Sequence, residues 1–176
     1  MLPRYDLPNA APPPLREVQL LVNTADLEHG RDWLPDWLAE RGLAADEERA
    51  RALREALRAL VLANNGVPLD DAALDVVNRA ARRVRLRVDS SGALDVENEG
   101  DALDRVVAIA LGAMLDGTWA RLKACRNCRW SFYDNSPNRS GTWCSMQLCG
   151  NRRKTRAYRT RRRTAGAQLG EAELSS

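Results

Sequence analysis

The four cysteines of this 176-residue chain fall into two close pairs. Two residues separate Cys125 from Cys128, four separate Cys144 from Cys149, and fifteen lie between the pairs. Thiolates at such spacings are typical ligands of structural zinc, and four of them complete a tetrahedral shell that leaves no position for a water molecule. The pattern therefore predicts one structural Zn²⁺ bound by Cys125, Cys128, Cys144 and Cys149.

The residues alone leave two other interpretations of these cysteines open. They could be reduced thiols without a ligand, but buried core cysteines lie among apolar residues, whereas these lie in a polar, basic segment. Cys125 and Cys128 could form a redox pair, but that would leave Cys144 and Cys149 unexplained. Zinc accounts for all four, and the neighbouring cations would offset the negative charge of a four-thiolate centre.

A dense run of cations begins directly after the last cysteine. Eight of the fifteen residues from 149 to 163 are Arg or Lys. Arginine makes bidentate contacts with phosphate and with guanine. If the chain is helical from about Ser145, these cations surround most of that helix. We predict that nucleic-acid contacts come from this run, from the asparagine before it and from one loop arginine: Arg139, Asn151, Arg152, Arg153, Lys154, Arg156, Arg159, Arg161, Arg162 and Arg163.

The charges of the chain are strongly divided. Residues 1–120 carry 14 Arg, no Lys and 21 acidic residues, a net charge of −7, whereas residues 121–163 carry 13 cations and one acid, a net charge of +12. Only the second part would attract a polyanion. A competing interpretation is that the basic segment is a solubilising tail, or that it docks on the acidic part of its own chain.

The residues before the cysteines predict a mostly helical domain that would position them. Apolar residues at helical spacing indicate helices in five segments, which are 15–27, 33–42, 46–64, 69–81 and 101–123. Between the last two, the apolar period changes to two, with Val84–Val88 rich in arginine and Leu94–Glu97 acidic. The turn residues Ser90–Gly92 join these stretches, so they predict a β-hairpin whose strands carry opposite charges.

These patterns predict an α+β fold with two parts. A mostly helical N-terminal domain with a β-hairpin precedes a small C-terminal zinc-finger module with a basic helix. We divide the chain into a flexible proline-rich lead, the N-terminal domain, the zinc finger with its basic helix, and a disordered tail, with the limits 1–14, 15–122, 123–163 and 164–176.

Membrane and enzyme functions find little support in the residues. No stretch of about 18 apolar residues occurs, and residues 1–14 lack the cationic and then apolar pattern of a signal peptide, so we expect a cytoplasmic protein. His29 is the only histidine, and no P-loop, dinucleotide-binding or nucleophile-elbow motif appears. We therefore expect no enzyme. A small-ligand pocket near Asn23, His29, Trp33 and Trp37 stays open as an alternative, although we favour turn capping for Asn23–Thr24.

The last cysteines carry a resemblance to a known family. Cys149–Arg152, preceded by Trp143–Met146 and followed by a basic run, closely resembles the CGNR zinc-finger family. In that family the finger follows an ABATE domain, described as a putative stress-induced transcription regulator. Leu21–Thr24 and Trp37–Leu43 resemble parts of that domain, so the resemblance spans most of 15–163. It implies zinc ligation by the four cysteines, and DNA rather than RNA as the partner.

The sequence departs from the pattern of this family in two places. Gly141 and Thr142 replace a basic pair that usually precedes the third cysteine, and Ser131 replaces a large apolar residue after the first tryptophan. The first change removes two charges from the finger loop and so weakens its expected grip on phosphate. Neither change affects a zinc ligand.

The sequence thus leads to one main hypothesis and several alternatives. We expect a zinc-binding transcriptional regulator whose Arg-rich segment binds double-stranded DNA. The main alternative is a protein–protein adaptor, whose zinc module and basic tail bind an acidic partner. For the N-terminal domain we keep open a homodimer interface and an unidentified small ligand.

Overall fold

The computed structural model describes residues 9–151 of the chain. The chain divides after Cys144 into two compact units, and the described residues of the second are 145–151. The first unit contains the helical part together with Cys125, Cys128 and Cys144. The domain limits that we set at residues 122 and 123 stay predictions.

Mixed helix and strand make up the first unit, as expected for an α+β chain. Its described helices are α1 Arg16–Val22, α2 Leu34–Ala39, α3 Glu47–Ala63, α4 Asp71–Ala81 and α5 Ala102–Leu115. Its described strands form three antiparallel pairs, which are β1 Ala25–Asp26 with β2 Arg31–Asp32, β3 Val84–Val88 with β4 Leu94–Asn98, and β5 Leu122–Ala124 with β6 Ser131–Tyr133. Each predicted helical segment contains one of these helices.

The longest helix, α3, follows the apolar stripe read from the sequence. Leu53, Leu57 and Val61 are buried along one side. An apolar stripe on one side would leave the arginines of this helix to solvent, but Arg54 and Arg58 are both buried. Burial of a guanidinium is tolerated only when acceptors surround it, and both arginines have such acceptors.

Arg54 is neutralised by an aspartate from outside its own helix. Its two terminal nitrogens donate to the Asp32 carboxylate at 2.6 and 3.0 Å, and one of them also reaches the Thr24 hydroxyl. Although burial opposes it, these charge-assisted bonds lower the pKa of Asp32 to about 2. The pair therefore ties the β1–β2 ribbon to α3 at any pH well above that value.

Two predicted helices end earlier than the apolar pattern suggested. The first ends at Val22 instead of Leu27, because the chain turns into β1. The fifth ends at Leu115 instead of Lys123. There Gly117 adopts a left-handed φ of 79°, which a side chain would disfavour, and a short 3-10 turn leads into β5. The residues just before the first cysteine are thus extended and not helical.

The hairpin β3–β4 forms as its alternation predicts. Leu86 lies opposite Val96 on one face, and Arg85 opposite Glu97 on the other. On the charged face Arg87 donates to Glu97 at 2.9 Å and Arg85 to Glu99 at 3.2 Å. Exposed pairs of this kind add little stability, so the apolar face must hold the hairpin against α5.

One apolar core joins the helices to the strands that flank the first cysteine pair. The largest fully buried side chains of its helices are Val18, Leu21, Val22, Leu34, Leu38, Leu57, Val61, Leu103, Val106 and Val107. From β5 and β6, Leu122, Ala124 and Tyr133 belong to the same core. The strands next to the cysteines therefore gain stability from the helical part, beyond what a metal ion would supply.

Residues 9–14 belong to the segment that we expected to be a flexible lead. Ala11 is buried in the core, and its N–H donates to the Gln19 side chain at 2.7 Å. The Asn9 carbonyl accepts from the Tyr133 N–H at 2.8 Å. These bonds hold this stretch against α1 and β6, and the rest of the predicted lead lies outside the described residues.

No described helix is both long and apolar enough to cross a membrane.

A core substitution tests whether α3 organises this unit. Leu57 is fully buried, so Leu57→Ala should lower the free energy of unfolding by about 2–5 kcal/mol. Leu27→Ala serves as the control, because Leu27 is 53% exposed and its loss should change stability by about 0.5 kcal/mol or less. Chemical denaturation measures both. Equal effects of the two changes would contradict the packing described above.

Candidate metal centre

The first two cysteines lie on a tight turn between β5 and β6. Cys125 directly follows β5, and its N–H donates to the Trp130 carbonyl at 2.9 Å. The Arg129 N–H donates back to the Cys125 carbonyl at 2.9 Å, and Arg129 adopts a left-handed φ of 63°. This turn brings Cys128 back over Cys125, as the short spacing predicts for two ligands of one ion.

Cys149 lies on a short helical turn of the second unit. This turn, Met146–Gly150, is wider than an α-helix, and Ser145 precedes it. The Ser145 side chain accepts from the Leu148 N–H at 3.3 Å, while its carbonyl accepts from the Cys149 N–H at 2.9 Å. Serine is a favoured residue at a helix start for this reason, and here it sets the orientation of Cys149.

The four cysteine sulphurs form one buried cluster. All four Sγ atoms lie within 4.8 Å of one another. The Sγ atoms of Cys128 and Cys144 are 3.5 Å apart, much longer than a disulfide of about 2.05 Å. Four sulphurs at about 2.3 Å from a tetrahedral zinc would be roughly 3.8 Å apart, so the spacing suits one ion.

Crowding of the thiols perturbs their ionisation. Hydrogen bonds from Cys128 and then Cys144 lower the pKa of Cys125, because they stabilise its thiolate. The same contact with Cys125 raises the pKa of Cys128 to about 12, and the pKa of Cys144 is raised as well by Cys125 and Cys128. One thiolate therefore opposes the formation of the next.

A divalent cation removes this opposition, because it stabilises all the thiolates at once. The donor set is four sulphurs, and a closed shell of thiolates supplies no open coordination site for catalysis. The residues present thus fit one structural zinc ion, held by Cys125, Cys128, Cys144 and Cys149. Since binding releases the thiol protons, zinc affinity should fall as the pH is lowered.

Side chains of the helical part satisfy the backbone of the β5–β6 hairpin. Asn23 donates from Nδ2 to the Ser131 carbonyl at 2.9 Å and accepts the Ser131 N–H on Oδ1 at 2.7 Å. The Gln19 amide also donates to the Ser131 carbonyl, at 3.1 Å. A short strand leaves backbone groups unpaired, and burying them without partners would cost about 1–3 kcal/mol each. Asn23 therefore supplies the hydrogen bonds that a neighbouring strand would give to Ser131.

Asn65 connects the segments that lead to two different zinc ligands. Its Nδ2 donates to the Ala124 carbonyl at 2.9 Å, just before Cys125, and to the Thr142 carbonyl at 3.0 Å, just ahead of Cys144. Its own carbonyl accepts from Arg126 Nε at 2.8 Å. One residue at the end of α3 thus fixes the spacing of the two ligand-bearing segments.

Arg58 adds a further link from α3 to the cysteine turn. It donates to the Val22 carbonyl at the end of α1, at 2.6 Å, and to the Arg129 carbonyl at 3.3 Å. Burial lowers the pKa of Arg58, although Glu55 opposes this effect with a 2.9 Å ion pair. Asn64 contributes in the same way, with bonds to the Trp119 and Leu122 carbonyls.

The loop between β6 and Cys144 is held by a buried ion pair. Lys123 Nζ donates to Asp134 Oδ2 at 2.8 Å, to the Gly141 carbonyl at 3.2 Å and to the Arg139 carbonyl. Although burial opposes it, the Lys123 and Ser136 hydrogen bonds lower the pKa of Asp134 to about 2. The stabilisation from this pair is complete above the ordinary pKa of aspartate and is lost as the pH falls towards 2.

This ion pair accounts for the glycine at position 141, which is one of the two residues in the first departure from the family pattern. A Cβ on Gly141 would lie 2.7 Å from the Asp134 carboxylate, and the Gly141 N–H donates to that carboxylate at 2.8 Å. A larger residue would displace Asp134 from Lys123. Ser131, the other departure, is fully buried, and its hydroxyl has no partner among the described residues.

The predicted nucleic-acid residues divide into described and undescribed groups. Arg139 and Asn151 are exposed. The others lie outside the described residues: Arg152, Arg153, Lys154, Arg156, Arg159, Arg161, Arg162 and Arg163. The start of the predicted basic helix corresponds to the helical turn Met146–Gly150.

Three cations of the finger region have structural roles. Lys123 is buried, Arg126 binds Asn65, and Arg121 donates to the carbonyls of Asp134 and Ser136 at 2.9 Å each. Counting charge from the sequence therefore overstates what the loop offers to a polyanion. On the cysteine turn itself, Arg126 and Arg129 are both exposed, and neither was among the predicted nucleic-acid residues.

The residues suggested for an alternative small-ligand pocket have other contacts in the structure, and the pocket stays an untested alternative. The Asn23 side-chain amide is hydrogen-bonded to the Ser131 backbone. The Thr24 hydroxyl caps α1 by donating to the Leu21 carbonyl at 2.8 Å. His29 Nδ1 lies 2.8 Å from Asp26 Oδ2 in a surface turn, and Trp37 is buried. The sequence did not predict that the Asn64 and Asn65 side-chain amides bind distant carbonyls, because Asn64–Gly66 carries the ordinary signal of a helix end.

The fold and the cluster together define a class of protein, in which a helical body holds part of a four-cysteine zinc centre. The chain belongs to the ABATE family, described as "Putative stress-induced transcription regulator", which matches residues 18–121. Residues 121–162 match the CGNR zinc finger. Both families and their order confirm the resemblance read from the sequence, and neither description is that of an enzyme. No curated protein matches the chain.

Elemental analysis tests the zinc site. The purified protein should carry one zinc per chain, and Cys149→Ser should lower zinc content and zinc affinity, because three thiolates no longer close the shell. Ser140→Ala changes an exposed serine between the cysteine pairs and should leave both unchanged. A protein without metal, or one with a Cys125–Cys128 disulfide, would contradict the assignment.

A second test separates ligand positioning from ligation. Asn65→Asp places a carboxylate oxygen against two carbonyls, so zinc affinity should fall about 10–100-fold although every ligand is intact. Asn78→Asp makes the same change on the exposed side of α4 and should have no effect. Competition with a chromophoric chelator measures both, and thermal unfolding checks the fold. Unchanged affinity in folded Asn65→Asp would refute the positioning role.

Proposed function

We propose that this protein is a DNA-binding transcriptional regulator, in which a structural zinc ion sets where an Arg-rich segment meets duplex DNA. The observation that carries the proposal is the position of the metal centre relative to that segment. Cys149 is the last ligand, Asn151 follows two residues later and is exposed, and eight cations occupy the next twelve positions of the sequence. Family membership supports a regulatory role.

The different roles of the cations near the cysteines support the proposed DNA contacts. The cations at 121, 123 and 126 bind carbonyls or Asp134 within the first unit, so they hold the finger together. Arg129 and Arg139 remain exposed at positions with left-handed backbone, where a protruding turn would present them. In this proposal these two arginines position the protein on phosphate, and the Arg-rich segment supplies most of the affinity.

Several finer expectations belong to the same proposal. The metal has no catalytic role, the protein is no enzyme, and its place of action is the cytoplasm. The N-terminal domain serves as a sensing or dimerising unit, with an unidentified small ligand as its signal. The adaptor alternative differs in its partner, which would be an acidic protein and not a nucleic acid.

Salt-dependent binding to random duplex DNA tests the proposal. If six to eight cations reach phosphates, affinity should fall by about three to five decades between low and moderate salt. Replacing Arg152, Arg153 and Arg156 with Gln should weaken binding and reduce the log–log salt slope by about 2–3. Replacing exposed arginines of the N-terminal part, Arg16, Arg31 and Arg82, gives a control with the same loss of charge.

The remaining outcomes separate the alternatives. Removal of zinc should weaken DNA binding in the wild-type protein, because the start of the segment is no longer held. A lack of binding at low salt would sink the DNA proposal and favour the adaptor. Equal losses in the two triple variants would mean that overall charge, and not the Arg-rich segment, attracts the DNA.

A further inference from the structure

The zinc ligand Cys144 lies on a segment without regular secondary structure. From the end of β6 to the helical turn that starts at Met146, the chain forms neither helix nor strand. The position of this ligand therefore depends on individual hydrogen bonds to the segment. Asn65 supplies one of them from the end of α3, to the Thr142 carbonyl at 3.0 Å.

A residue near the start of the chain supplies another bond, directly to the ligand. Asn9 Nδ2 donates to the Cys144 carbonyl at 3.0 Å, although the two residues are 135 positions apart in the sequence. Cys144 is buried, so a donor to its carbonyl offsets part of the cost of removing that group from water. The backbone of this ligand is thus bound by a residue that precedes α1.

The backbone of Asn9 is itself held in place. Its carbonyl accepts the Tyr133 N–H of β6 at 2.8 Å and Nε2 of Gln19 at 3.1 Å. Two residues later Ala11 is buried, and its N–H donates to Oε1 of the same glutamine at 2.7 Å. One buried side chain of α1 therefore binds residues 9–11, the N-terminal strap, at two points.

The Gln19 amide also connects the N-terminal strap to the hairpin that carries the first cysteine pair. Its Nε2 donates to the Ser131 carbonyl at 3.1 Å, so the strap, α1 and β6 meet at this side chain. Because the backbone of Asn9 is already fixed there, its side chain loses little further conformational entropy when it binds Cys144. The bond to the ligand is therefore a favourable one.

We propose that Asn9 is a positioning residue of the zinc centre, and that the N-terminal strap is part of the finger. Asn65 holds the backbone two residues before Cys144, and Asn9 holds the carbonyl of Cys144 itself. Rotation of the backbone at this ligand is thereby restricted, which keeps its Sγ within the sulphur cluster. The inference depends on zinc binding and does not depend on DNA binding.

The side chain of Asn9 can be changed without removing the strap. The bonds to Tyr133 and Gln19 use the backbone carbonyl of Asn9, so they do not require its amide. Asn9→Asp keeps the size of the side chain but places a carboxylate oxygen against the Cys144 carbonyl, whereas Asn9→Ala only removes the donor. Both variants should therefore retain the strap and lose the bond to the ligand.

Competition with a chromophoric chelator tests the inference on the full-length protein. Asn9→Asp should raise the zinc dissociation constant about 10–100-fold, and Asn9→Ala about 2–10-fold, although all four cysteines are intact. With Co²⁺ in place of zinc, the visible bands of Asn9→Asp should differ from those of the wild type, because they report the geometry of the four sulphurs. A merely structural role would lower the stability of the zinc-free and zinc-loaded forms alike, and would leave both readouts unchanged.

Asn138→Asp provides the matched control. Asn138 is exposed on the segment between β6 and Cys144, and its Oδ1 accepts from the Ser140 hydroxyl, as an aspartate would also do. This variant adds the same charge to the segment that carries the ligand, and it should leave zinc affinity and the Co²⁺ spectrum unchanged.

Thermal unfolding verifies that each variant is folded, and Asn9→Ala takes the place of Asn9→Asp if the latter does not fold. Unchanged zinc affinity in the folded variant would overturn the inference. An equal loss of affinity in Asn138→Asp would overturn it as well, since the added charge, and not the lost bond to Cys144, would then be the cause.

Discussion

The backbone groups of a short buried hairpin need hydrogen-bond partners, and the rest of this structure depends on where those partners come from. Strands β5 and β6 have three residues each and pair only with each other. The backbone N–H and carbonyl groups on their outer edges therefore have no strand partner. The helical part supplies the missing partners as side-chain amides. Asn23 binds both backbone groups of Ser131, and Asn65 binds the carbonyls ahead of Cys125 and Cys144. The first three zinc ligands are thus held by hydrogen bonds from α1 and α3.

This arrangement links the metal centre to the stability of the helical part. In a free-standing zinc finger the metal supplies most of the folding free energy. Here Leu122, Ala124 and Tyr133 lie in the helical core, and the Lys123–Asp134 pair orders the loop before Cys144. The protein therefore has a preformed partial site, and zinc closes it by relieving the mutual opposition of the thiolates. A ligand or a second copy that stabilised α1 or α3 would thereby also favour zinc binding.

The sequence predicted best what depends on local patterns. The spacing of the cysteines, the apolar stripe of α3 and the alternation in β3–β4 each reflect a period within a short stretch of chain, and the structure confirms all three. The sequence was a poor guide where tertiary contacts override the spacing of apolar residues. The apolar run after Leu115 continues at helical spacing, yet Gly117 ends the helix so that β5 can pair with β6. Arg54 and Arg58 have helical spacing suited to solvent, yet Asp32 and two carbonyl groups make their burial favourable.

By itself, the sequence determined the zinc ligands, the family and the uneven distribution of charge, because residue type and spacing are enough to define a tetrahedral thiolate site. Only the tertiary structure decided how each polar residue is used. From local sequence alone, Asn23 would be a cap, Asn65 part of a helix end and Gly141 a turn residue. Their actual roles are to satisfy Ser131, to join two ligand-bearing segments and to make room for Asp134. Such roles depend on which distant backbone groups become buried together, and no local pattern records that. The four cysteines identify the ion, whereas the helical part determines the geometry in which three of them meet it.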